Sequence, residues 1–86
     1  MQGKIYLSDF LETLCPKSAV VNVRVLDSNC NYDYIVTAPA FRLVNQENLR
    51  GDLIVLAIQY NKKSENYVVN TISETLIKKV SILYWQ

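Results

Sequence analysis

At 86 residues the chain holds one domain, 1–86, and its 50% hydrophobic content is enough to build a packed interior. Nine Lys/Arg against eight Asp/Glu leave a net charge of +1, so there is no basic field to drive nucleic-acid binding through counterion release. The absence of histidine removes Ser-His-Asp and Cys-His nucleophile pairs, histidine acid–base chemistry and histidine metal ligation.

The first predicted element is a short helix. KIYLS reads as an extended lead-in, Ser8 or Asp9 as its cap, and Asp9-x-x-Glu12 has capping-box spacing. Phe10, Leu11 and Leu14 fall on one side of about two turns, and Pro16 disfavours helical geometry at Cys15. This apolar side is expected to cover one face of a sheet.

AVVNVRVL (19–26) is the clearest strand, with Val21, Val23 and Val25 on one face and Val20, Asn22, Arg24 and Leu26 on the other. YDYIVTA follows the polar DSNCN, and its alternation places Tyr32, Tyr34, Val36 and Ala38 together. The two runs read as an antiparallel hairpin ending at Pro39. Phe41–Val44 fits either an edge strand or an irregular helical turn. NQENLRGD reads as a polar loop in which Gly51 is the expected positive-φ residue. LIVLAIQY is apolar on both faces and is therefore expected to be a central strand. NKKSEN is a turn and YVVNTIS a fourth strand. The closing segment fits a helix capped by Ser73 or a strand, and its β-branched and aromatic content favours the strand.

The predicted fold is α+β and β-rich: a short N-terminal helix, then a four- to five-stranded, mostly antiparallel sheet or a small barrel. LSDFLETL followed by VVNVRVL and a turn is similar in layout to the Sm-like small barrel. The glycines with which that barrel bends its strands are absent from Asp27–Ala38, and with them the basis for expecting its RNA binding.

Candidate contact residues gather around the hairpin. DSNCNYDY reads first as a glycine-free turn, with Asn29 and Asn31 tolerant of left-handed backbone, and second as a loop whose amides and tyrosine hydroxyls hold a polar ligand. Arg24, on the face opposite the valines, reads as a solvent-facing charge or as a clamp for a carboxylate or phosphate. Tyr32 and Tyr34, sharing a face, would wall a partner site or stack on a base, with Asn31 beside them. Cys30 has no histidine to activate it and acidic neighbours that oppose a thiolate. Cys15 and Cys30 cannot hold zinc alone and have no CxxC spacing, so both are expected to be reduced thiols. With two glycines in all, there is no phosphate-cradling loop, and no cofactor or metal is expected. Trp85 and Tyr84, in the apolar ending SILYWQ, are the expected self-association residues.

The run Leu53–Ile58 is too short to cross a bilayer, and MQGKIYLSDF lacks a signal-peptide core, so a cytoplasmic protein is expected. The SDFLETL helix, VNVRV strand, polar hairpin and remainder rich in Asn, Ile, Lys and Tyr resemble small accessory proteins of phages and mobile elements of low-GC Gram-positive bacteria. That resemblance implies a non-enzymatic binder, sometimes directed against host defence. The resulting expectation is a homo-oligomer that occludes or sequesters a protein partner or a small polar ligand. An assembly subunit of a larger particle and a weak single-stranded nucleic-acid binder are the alternatives.

Overall fold

The computed structural model describes residues 4–29, 31–49 and 51–76. Helix α1 (Leu7–Asp9) runs directly into a π-helical turn (Phe10–Leu14), closed by the Cys15 N–H donating to the Phe10 carbonyl at 3.2 Å. It starts earlier than the capping-box spacing predicts. Tyr6 occupies the cap position without a side-chain bond, and neither Ser8 nor Asp9 caps. The burial of Leu7 explains this, because starting at Leu7 brings Leu7, Phe10 and Leu11 onto the sheet together. The helix ends at Leu14, ahead of Pro16 as expected.

Strands β1 (Val20–Leu26) and β2 (Tyr32–Pro39) form the predicted antiparallel hairpin. The turn needs no glycine because Asp27 organises it. The Asp27 carboxylate accepts from the N–H groups of Asn29 (2.9 Å) and Asn31 (3.0 Å), and its own N–H donates to the Asn31 carbonyl at 2.9 Å. Neither asparagine takes a positive φ. After Pro39 the chain turns into α2 (Ala40–Leu43), then a 3-10 turn (Glu47–Leu49), which resolves the Phe41–Val44 alternative in favour of a helical turn. Gly51, at φ 95°, leads into β3 (Leu53–Asn61), and a turn with Glu65 at φ 54° leads into β4 (Asn66–Ser73).

The four described strands lie in the order β2-β1-β4-β3. Both hairpins are antiparallel, and β1 and β4 join them side by side in parallel. The sheet is open, which corrects the barrel alternative. It also corrects the placement of LIVLAIQY, since among the described strands β3 is at the edge and β4, with Asn66 and Asn70, is central. The crossover through residues 40–52 returns the chain along the sheet, so β3 enters at the far side and β4 folds back between it and β1.

The main core cluster lies on one face, while Ile54 and Ile72 are buried on the other. Leu7, Phe10, Leu11 and Cys15 from the N-terminal helix and Ala40, Leu43 and Leu49 from the crossover pack on Val21, Val23, Leu53 and Val69. The described helical elements thus form one layer and the sheet the other. Fully buried Thr71 donates its hydroxyl to the Arg24 carbonyl at 3.2 Å, tying the parallel pair. Beyond Ser73 the chain makes a helical turn over 74–76. The expected final strand, Tyr84 and Trp85 lie outside the described residues. No helix among those described is long and apolar enough to cross a membrane.

Candidate functional site

The sheet face away from the helices carries a polar network centred on Arg24. Strand alternation with the β1–β2 register puts Asn22, Arg24, Tyr32, Ile35 and Thr37 on this face. Arg24 Nε donates to Asn22 Oδ1 at 3.0 Å, and Arg24 Nη1 donates to the Tyr32 hydroxyl at 3.1 Å. The guanidinium carbon stands 5.1 Å from the Tyr32 ring centroid, within cation–π range. Asn22 is held in turn, its Nδ2 donating to Thr37 Oγ1 at 2.5 Å. Each link joins β1 residues two apart or crosses the hairpin, so the sheet itself sets the geometry.

These bonds use two of the five guanidinium protons. The remaining three, on Nη1 and Nη2, meet no acceptor among the described residues, and Arg24 pairs with no carboxylate there. A guanidinium oriented on one side and open on the other can take a carboxylate or phosphate in two-point fashion. Beside it in the β1–β4 register stands Asn70, whose Oδ1 is buried without a hydrogen-bond partner. Such an orphan acceptor costs about 1–3 kcal/mol. The face also exposes Val20, Tyr32 and Ile35, an apolar frame around the polar centre.

Of the four predicted contact residues, the fold brings Arg24 and Tyr32 together and separates the other two. Tyr34 lies on the opposite face, packed against the core and lining a shallow depression with Val25, Asp33 and Asn48. The cause is a bulge. Val25 pairs with Tyr34 and Leu26 with Tyr32, so Asp33 is an extra residue that breaks the alternation between the two tyrosines. The shared-face expectation for Tyr32 and Tyr34 is therefore corrected. Asn31 is exposed at the turn, its backbone engaged with Asp27. Of the residues that sequence reasoning did not assign to the site, Asn22 was within reach as the i−2 neighbour of Arg24. Thr37 and Asn70 required the strand register.

Elsewhere, Leu11, Glu12, Lys17, Phe41 and Val44 line a second depression of about 340 Å³ on the helical side. Cys15 is a buried free thiol, and burial pushes its pKa up, which keeps it protonated and unreactive. Cys30 lies outside the described residues. Among those described, no three Cys, Asp or Glu side chains converge as metal ligands. Compared with known proteins, the chain matches no protein-family model, no curated protein and no solved structure.

Proposed function

We propose that this is a non-enzymatic binding protein whose recognition surface is the open face of the β1–β2 hairpin. It takes a partner that presents a carboxylate to Arg24 and apolar contact to Tyr32, Ile35 and Val20. It acts by occluding or sequestering that partner, a host protein or a small polar ligand, in the cytoplasm of a cell harbouring a phage or mobile element. The observation that carries this reading is the guanidinium of half-buried Arg24, oriented by Asn22 and Tyr32 and left without a counter-charge among the described residues, on the face that the described helices do not cover. Ordering a charge in this way has a cost in side-chain freedom that an ordinary solvent-facing arginine avoids.

The test is an array of acidic peptides printed beside counterparts in which every Asp and Glu is replaced by its amide. The protein is expected to select acidic peptides, and Arg24→Ala to weaken that capture roughly tenfold or more, as befits a lost charge-assisted bond. Its melting temperature should stay within a few degrees of wild type. Equal capture of the amide peptides, or undiminished capture by Arg24→Ala, rejects the reading. A second reading, an assembly subunit that uses exposed strand edges, is favoured by the outer edge of β3.

A further inference from the structure

The two edges of the sheet are built differently. β2 ends in Pro39 and is interrupted by the bulge at Asp33, both of which oppose the addition of another strand. β3 carries no charge, proline or glycine over its nine residues, LIVLAIQYN, and its own bulge, at Leu56, precedes the regularly paired stretch Ala57–Asn61. Among the described residues its outer edge is occupied only at the start, where the Val55 N–H donates to the Ile5 carbonyl at 2.8 Å and Tyr6 bridges Ile54. From Ala57 to Asn61 no strand lies beside it among the described residues. Along this free stretch Ile58 and Tyr60 are 44% and 48% exposed, and the bulge residue Leu56 just before it is 49% exposed.

The exposed side chains are also ordered. Ile58 and Tyr60 share the helical face, in register with Val69 and Tyr67. Tyr60 packs on Tyr67 with ring centroids 5.0 Å apart, and Tyr67 meets the buried Phe10 edge-on at 6.0 Å. An aromatic row therefore runs from the core outward and ends, half exposed, at the unpaired edge.

We propose that two copies of this chain pair antiparallel through Ala57–Asn61 across a two-fold axis, making one continuous eight-stranded sheet. The inference deepens the strand-edge reading and is independent of Arg24. A second copy fits for three reasons. A two-fold axis normal to the sheet sets this segment against itself in the antiparallel sense, so both backbone edges are satisfied at once. On one face it joins Ile58 and Tyr60 to the same residues of the other copy, extending each aromatic row across the axis. On the other face it brings together Ala57, Gln59 and Asn61, which are uncharged, so nothing in the segment repels its own copy.

The Ile5–Tyr6 strap ends the pairing at Val55 and limits its length. The half-exposed Ile58 and Tyr60 contribute on the order of 400 Å² from both copies, well below the roughly 1,600 Å² of a standard stable interface even with the strand backbones added. The dimer is accordingly concentration-dependent.

Sedimentation of the full chain at low and high micromolar concentration should show mass rising from one copy towards two. Ile58→Lys, at a half-exposed position, should leave the circular dichroism unchanged and weaken association at least tenfold. Phe41→Lys, half exposed on α2, should not weaken it. In the wild type, the amides of Ala57–Asn61 should gain hydrogen-exchange protection at high concentration, a readout that requires no variant to fold. A strict monomer at high micromolar concentration overturns the proposal. So does a dimer that survives Ile58→Lys, equal loss with Phe41→Lys, or a doubled mass with no added protection over 57–61. Acidic-peptide capture by Ile58→Lys separates this proposal from the Arg24 reading, because capture persists if only the edge contact is lost.

Discussion

Arg24 and Tyr32 form a unit only because Asp33 is an extra residue in β2. In an unbroken strand Tyr32 and Tyr34 would share a face, and the arginine would meet a different neighbour. The bulge gives the two tyrosines distinct jobs, and replacing them separately tests that division. Tyr32→Ala is expected to weaken acidic-peptide capture several-fold with little change in melting temperature, because Tyr32 is exposed and braces the guanidinium. Tyr34→Ala is expected to leave capture intact but lower the melting temperature by several degrees, because Tyr34 packs against the core. Thermal melts paired with peptide binding check both, and the reverse pattern would place the recognition surface on the helical side. Asp52 illustrates a purely structural residue. It accepts hydrogen bonds from the hydroxyls of Ser73 (2.7 Å) and Thr75 (2.8 Å) and from the Thr75 N–H (3.2 Å), which hold its carboxyl below the usual range.

At the scale of elements, the N-terminal strap is fastened by backbone and side-chain polar contacts. Ile5 and Tyr6 lie along the start of β3, and Glu74 receives both the Lys4 ammonium and, at 2.9 Å, the Tyr6 hydroxyl. The Glu74 contact raises the pKa of both groups above their ordinary values, with burial adding to the effect at Tyr6. A raised folded-state pKa means that the protonated form is favoured by folding. The associated stability is complete below the ordinary values of 10.0 for Tyr6 and 10.5 for Lys4, and is lost as pH rises through the raised ones. The strap should therefore loosen above about pH 10.5, seen as faster exchange or proteolysis at residues 4–6 while the sheet persists. Glu74→Gln should loosen it already at neutral pH and flatten the alkaline dependence. An unchanged alkaline limb in that variant would assign the strap's hold to the backbone bond alone.

At the scale of the molecule, one helical layer covers one sheet face, and a chain this short has little apolar burial to spare. Leu49 shows how widely the core is shared. It sits in the polar-looking stretch NQENLRGD, yet is 2% exposed and closes the core from the crossover. Leu49→Ala should lower the urea-unfolding free energy by about 2–4 kcal/mol in a single transition. A loss well under 1 kcal/mol would mean that the crossover is only an appendage. The same economy bears on β3, where the helical layer reaches the start of the strand and leaves Ile58 and Tyr60 half exposed.

Much of this was legible in the residues themselves. The faces of β1 followed from alternation, the end of the first helix from Pro16, the left-handed turn from Gly51, and the glycine-free hairpin from the Asp27–Asn31 composition, because each depends on neighbours a few positions away. The α+β class with a mainly antiparallel sheet followed from the same local signals. Strand order did not. LIVLAIQY is apolar on both faces whether it is central or at an edge, and only the crossover through residues 40–52 decides that β3 lies outside β4. The Arg24 network shows the same division within one site. Arg24 and Asn22 stand two residues apart on one strand face, which the sequence determines. The approach of Tyr32, Thr37 and Asn70 depends on a bulge and a parallel pairing between distant segments, and only the folded chain settles these.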